Sequence, residues 1–174
     1  MKIIETKYNG IIFRSRLEAR WAVVFDAMSI PYHYEIEGFS GKNFSYLPDF
    51  WLPTKNVFVE VKGFQEHFDR ESWSMNEDFL KCMGLAEEGG HSVLWLYGAI
   101  PSLDFVPANM GGLHFPDFYR LRPQGIEWLE ITSDCDPENK TWEGITPIWD
   151  GNQHDWLYNK KALDAGRSFR FSDF

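Results

Sequence analysis

Asp49, Glu60 and Lys62 are the charged side chains best placed to do chemistry, because each stands in a run that otherwise belongs in a core. The runs are Tyr46-Leu47-Pro48-Asp49-Phe50-Trp51 and, after a short turn, Val57-Phe58-Val59-Glu60-Val61-Lys62-Gly63. An ionised carboxylate among Leu, Phe, Trp and Val carries a desolvation cost of roughly several kcal/mol unless a cation offsets it. Both carboxylates therefore need a partner. On a strand, residues two apart share a face, so Glu60 and Lys62 point together while Val61 turns to the core and leaves its carbonyl beside them. With Asp49 on a neighbouring strand, these oxygens suit a hard cation such as Mg²⁺, which takes one or two carboxylates plus waters and substrate phosphate. Such an ion can polarise a phosphoryl oxygen, make a bound water nucleophilic and neutralise a leaving oxygen. Lys62, a compact cation, would position that water or stabilise charge on the phosphorane.

The elements that must position these groups can be read from periodicity and turn residues. Asn9-Gly10 lies between residues 6–8 and 11–13, the pair that a two-residue hairpin turn prefers because both positions need positive φ. Ser15 then opens a helix whose apolar residues Leu17, Trp21, Val24, Phe25 and Met28 recur at helical spacing and which ends before Pro31. Alternation predicts a half-buried strand over 32–37, a second strand is expected over 44–52, and a third over 57–62, with Val57, Val59 and Val61 on one face. Residues 76–88 fit a helix stopped by Gly89-Gly90, and 92–97 a buried strand. A strand, a crossover helix and another strand form a parallel unit. The order is helix, three-strand meander, helix, strand: an α/β sandwich. Beyond it, 126–131 reads as a strand, 146–149 as a short one, and 155–167 as a last helix.

With 174 residues the chain can bury a real core as one domain, or as one domain with an extension. Cys82 and Cys135 are far apart with no ligand spacing around them, so neither a zinc site nor a disulfide framework is suggested, and a reducing, cytoplasmic setting is expected. No apolar signal core or bilayer-length run is present, so no membrane partner is expected. The formal net charge of -9 argues against a protein that coats nucleic acid by charge alone. Basic residues nevertheless cluster at both ends. Arg14 and Arg16 could contact phosphates beside the candidate site, and Lys160, Arg167 and Arg170 could form a second phosphate contact; solvated helix surfaces are the competing reading for both groups.

Pro48-Asp49 followed by Glu60-Val61-Lys62 resembles the signature of the PD-(D/E)xK nucleases, the restriction-endonuclease-like fold. Upstream, Phe13-Arg14-Ser15-Arg16-Leu17-Glu18-Ala19-Arg20-Trp21 is similar to the first helix of many members, where a glutamate often joins the metal site, and Glu18 matches that position. The intervals between Glu18, Asp49 and Glu60 are similar to those of phage junction-resolving endonucleases, and small phage and bacterial members of the fold also resemble the chain. The resemblance covers roughly residues 8–98. It implies an α/β fold with an αβββαβ core sandwich, expected over 1–98; residues 99–174, which it does not cover, are expected to form a C-terminal α+β extension packed on the core and ending in a helix. It further implies a Mg²⁺-dependent DNA endonuclease, with Mn²⁺ as a substitute ion and a metal-activated water attacking the scissile phosphate. Glu18, Asp49, Glu60 and Lys62 would be catalytic, and Glu18, Asp49, Glu60 and the Val61 carbonyl would hold the metal. Cutting both strands takes two sites, which makes a homodimer compatible with the activity.

Each signal has a plainer reading. A Pro-Asp pair alone is usually a turn, and Glu-x-Lys alone an exposed ion pair; their combination in apolar surroundings is what carries weight. Ser15-x-x-Glu18 is also a capping box, worth about 1 kcal/mol to the helix. Pro116-Asp117 serves as an internal control, since neither Glu127 nor Glu130 is followed two residues later by a lysine. His67 and His91 are expected in loops rather than as bases. The alternative function is a catalytically silent binding protein or inhibitor on the same fold, whose acidic stretch over 127–155 mimics nucleic-acid charge towards a nucleic-acid-binding partner.

Overall fold

A computed structural model describes residues 4–63, 76–100, 117–122, 125–129 and 159–172. The chain opens with a hairpin of β1 (Thr6–Tyr8) and β2 (Ile11–Phe13), in which Thr6 lies opposite Phe13. Asn9 at φ 49° and Gly10 at φ 84° make the positive-φ turn that this residue pair favours. Helix α1 (Arg16–Ala27) starts where the Ser15 hydroxyl accepts the Glu18 N–H at 3.2 Å. Its buried face is Ala19, Trp21, Ala22, Val24 and Phe25.

The expected strand over 32–37 is only β3 (His33–Tyr34), because Glu35 takes a left-handed conformation at φ 47° that turns the chain out of the extended form after its own N–H. The expected strand over 44–52 is also corrected. It divides into β5 (Ser45–Tyr46), paired with β4 (Phe39–Ser40) in a separate small sheet, and β6 (Phe50–Leu52) in the main sheet. Pro48 has no N–H to give a ladder, so the chain leaves one sheet and enters another around it. A 3₁₀ turn (Pro53–Lys55) and left-handed Asn56 lead into β7 (Val57–Lys62). Helix α2 (Glu77–Glu87), capped by the Asn76 side chain, precedes β8 (Val93–Tyr97), which pairs parallel to β7 as the crossover rule requires.

Strands β9 (Asp117–Arg122) and β10 (Gly125–Leu129) complete a mixed six-stranded sheet in the order β10-β9-β8-β7-β6-β3. Strand β9 was not anticipated, and β10 matches the strand expected from 126 onward; the short strand expected over 146–149 and the first residues of the last helix lie outside the described residues. Helix α3 (Lys160–Ser168) packs on α1, where a Cβ on Gly166 would stand 2.4 Å from Val24 Cγ2 and 2.8 Å from the Arg20 carbonyl oxygen. Only glycine lets the two helices approach this closely.

The two faces of the sheet carry separate cores. Val57, Val59 and Val61 face α1 and α3 with Phe13, Trp21, Phe25 and Phe50, whereas Phe58 faces α2 with Tyr46, Phe79, Cys82 and Trp95. The period of two read for β7 thus sorts its side chains between the layers of a mixed α/β architecture. Among the described residues, no helix is long and apolar enough to cross a membrane.

Candidate active site

Strand β6 pairs with β7 so that Phe50 lies opposite Val59, which brings Asp49 alongside Glu60 at the point where the ladder ends. The Val61 N–H has no β6 backbone partner there and donates instead to Asp49 Oδ2 at 2.8 Å. In an antiparallel pair the N–H and C=O of one residue face the same neighbour. The Val61 carbonyl therefore faces the Asp49 side. Glu18, Asp49 and Glu60 are 6%, 2% and 3% exposed, and each is held by donors. Arg14 Nη2 donates to Asp49 Oδ1 at 2.7 Å, and Tyr34 OH to Glu18 Oε2 at 2.6 Å. Tyr46 OH donates to Glu60 Oε2 at 2.5 Å, and Lys62 Nζ lies 2.9 Å from Glu60 Oε1.

Behind these groups stands a supporting ring. Asp78, in the first turn of α2, holds Lys62 Nζ from the other side at 3.0 Å, so the ammonium sits between two carboxylates. Cys82 Sγ donates to Tyr46 OH at 3.2 Å, leaving that hydroxyl's own proton to Glu60. The Arg14 N–H donates to Tyr34 OH at 2.9 Å, and Arg14 Nε lies 2.6 Å from Glu35 Oε1.

Burial pushes the Asp49 carboxyl well above its usual range, and the neighbouring Glu60 and Glu18 charges push it further than the Val61 N–H and Arg14 pull it back. Burial likewise raises Glu60, against the pull of Lys62 and Tyr46. Burial works against the Lys62 ammonium, but Glu60 and Asp78 outweigh it, so its pKa is raised and it keeps its proton at neutral pH. The same surroundings raise Tyr46 and Cys82 well above their usual values, chiefly through burial. The site is therefore a buried place short of positive charge, with one fixed cation inside it.

Whether a divalent ion fits rests on the donors. Among the described residues, no three His, Cys, Asp or Glu side chains gather closely enough to hold one ion. Mg²⁺ asks for less, since one or two carboxylates with carbonyl, water and phosphate oxygens satisfy it. Asp49, Glu60 and the Val61 carbonyl supply such hard oxygens from adjacent strands, and the guanidinium on Asp49 marks where positive charge is already drawn. The donor set fits. Glu18 lies near enough to raise the Asp49 pKa, but its carboxylate is turned to Tyr34. The Ser15 half of the capping box forms as well.

Of the residues expected to act, the structure brings Arg14, Glu18, Asp49, Glu60, Val61 and Lys62 to one end of β6 and β7. The basic residues expected to touch phosphate divide. Arg14 joins the site, and Arg16 begins α1 with an exposed side chain. Lys160 lies 2.7 Å from Asp164, Arg167 pairs with the same carboxylate, and Arg170 is exposed beyond α3. Sequence reasoning missed Tyr34, Glu35, Tyr46, Asp78 and Cys82. Only Asp78 carried a legible signal, as an acid in the first turn of a helix.

No family model, curated protein or solved structure matches the chain.

Proposed function

We propose that the chain is a Mg²⁺-dependent endonuclease of the PD-(D/E)xK type, on a restriction-endonuclease-like core, that hydrolyses phosphodiester bonds in DNA. The observation that carries this reading is the meeting of two buried carboxylates from adjacent strands with an ammonium fixed between two acids. Asp49, Glu60 and the Val61 carbonyl would hold the ion. When bound, it would supply Lewis-acid polarisation of the phosphate and a more acidic water.

The rest falls to the side chains of the chain. Lys62 stays protonated, so it acts as a donor that orients the attacking water or steadies negative charge on the phosphorane, and not as a base. Tyr46 and Asp78 fix the Glu60 and Lys62 rotamers, which limits the search for a reactive geometry. Arg14, half-exposed beside Asp49, would meet a phosphate.

The test is purified protein incubated with plasmid, single-stranded, branched and nicked DNA in the presence of Mg²⁺ or Mn²⁺. Cleavage of at least one substrate is expected, with Asp49→Asn and Lys62→Ala folded but inactive. Failure to cut any substrate refutes the reading. A second reading, a catalytically silent binding protein, is favoured by the fact that each buried carboxylate among the described residues, Glu18, Asp49 and Glu60, is held by donors of the chain itself. It requires that calorimetry detect no Mg²⁺ binding to the native chain.

A further inference from the structure

Asp49 has one oxygen committed to the backbone and the other committed to Arg14. Oδ2 accepts the Val61 N–H, and Oδ1 accepts from Arg14 Nη2, the only one of the two contacts made by a side chain that solvent reaches. The Arg14 side chain is 55% exposed, while that of Asp49 is 3% exposed. Its backbone is anchored separately, through the N–H on Tyr34 OH, at the junction of β2 and the α1 cap. The guanidinium can therefore leave Asp49 without unfastening the Arg14 backbone, Nε remaining on Glu35 at 2.6 Å.

A second feature points to the same place. Glu35, whose carboxylate flanks the Arg14 Nε, sits at φ 47°, a conformation that a residue with a side chain seldom adopts, and its N–H donates to the Asp49 carbonyl oxygen at 3.0 Å. Strain of this kind persists where the surroundings impose it, and it gathers at functional sites. Here it places the Glu35 carboxylate on Arg14 Nε at 2.6 Å while Nη2 holds Asp49, so the guanidinium keeps one carboxylate partner when it leaves the other.

We propose, resting on the nuclease reading above, that Arg14 is a resident counter-cation on Asp49 Oδ1 that must move off for a divalent ion to bind, and that its freed guanidinium then takes the substrate phosphate. A guanidinium and a divalent ion on one carboxylate oxygen repel each other. Arginine cannot relieve that repulsion by losing its proton. With Oδ2 already accepting the Val61 N–H, an ion that takes Oδ1 displaces the guanidinium, and the displacement carries positive charge from the ion's place towards the polyanion.

The experiment is calorimetric titration of Mn²⁺ into the full chain, comparing native protein with Arg14→Gln and Asp49→Asn. Arg14→Gln should bind Mn²⁺ roughly fivefold to tenfold more tightly, the scale of one half-exposed charge-assisted hydrogen bond removed from the competition. Asp49→Asn should lose the binding, and Arg14→Gln should show a raised KM for DNA. Equal or weaker Mn²⁺ affinity in folded Arg14→Gln overturns the exchange, while DNA cleavage by the native chain leaves the nuclease reading standing. A native chain that neither binds Mn²⁺ nor cuts DNA overturns both. Should Arg14→Gln fail to fold, arginine side-chain NMR of the native protein decides: saturating Mg²⁺ should shift the Arg14 guanidinium resonance and speed its exchange with water, and an unmoved resonance overturns the proposal.

Discussion

Replacing Tyr46 with Phe removes one oxygen from the centre of the α2 layer and leaves the ring among Phe58, Phe79 and Trp95. That oxygen has two duties, donating to Glu60 Oε2 at 2.5 Å and accepting from Cys82 Sγ at 3.2 Å. The thiol is a weak donor and its loss costs little. The bond to Glu60 is another matter, since a hydrogen bond to a charged group contributes about 1.5–3 kcal/mol net and a buried acceptor stripped of its donor keeps its desolvation cost. Lys62 remains on the other oxygen, which limits the damage. The expected loss is about 2 kcal/mol, or a fall of roughly 4–8 °C in Tm for a chain of this size. Urea unfolding followed by circular dichroism should show a lower midpoint with an unchanged slope. In a Glu60→Gln background, where the acceptor is neutral, the same substitution should cost only about 1 kcal/mol. A loss below about 0.5 kcal/mol, or an equal loss in both backgrounds, would refute the claim that Tyr46 works through the Glu60 charge.

Stability should also fall with rising pH in metal-free buffer. The raised Asp49 and Glu60 carboxyls bind protons in the folded state at pH values where the unfolded chain, with ordinary values of 3.8 and 4.5, has released them. Their contribution is thus complete below those ordinary values and is lost as the pH climbs through the raised ones. Tm measured against pH in EDTA should decline, and Asp49→Asn should flatten the decline; a native curve that rises throughout would contradict the shifts. Asp78 is lowered, since Lys62 and Lys81 outweigh its burial, so its share has the opposite sign and disappears on acidification. Asp78→Asn should reduce kcat by roughly tenfold to a hundredfold with little change in KM, because it unpins Lys62 without touching substrate. An equal rise in KM would assign Asp78 to binding instead.

How much of this was legible depended on the range of the interaction. Asn9-Gly10, the Ser15 cap and the apolar stripe of α1 are local signals, and they became the hairpin and the helix. The alternation in β7 put Glu60 and Lys62 on one face, and the pair duly meets at 2.9 Å. Residues 44–52 misled because aromatic content outweighed the one local fact that mattered, a proline with no N–H to give. Strand β9 carries a weak local signal, since the adjacent Phe118 and Tyr119 break any strict alternation, and its place is set by pairing with both β8 and β10. Arg14 on Asp49 spans 35 positions and Cys82 on Tyr46 spans 36. Contacts of that length follow from how layers stack, which no local pattern encodes.

The supporting ring bears on why these charges are buried at all. Exchanging a buried ionic group for apolar residues of similar volume is often neutral or stabilising by about 1–4 kcal/mol. Stability therefore does not account for Asp49 and Glu60, whose carboxyls are pushed towards protonation by the core around them. Catalysis would, because a low-dielectric pocket magnifies each interaction with charge that develops there. The net charge of -9 sharpens the point. A polyanion approaching this chain is repelled at long range, so whatever attraction it meets must be concentrated locally. Lys62, clamped by Glu60 and Asp78, cannot travel to supply it. Arg14, whose half-exposed guanidinium rests on Asp49 and Glu35 while its backbone is tethered to Tyr34, is the cation that the proposed exchange would move, so the two cations would be separate parts of the proposed chemistry.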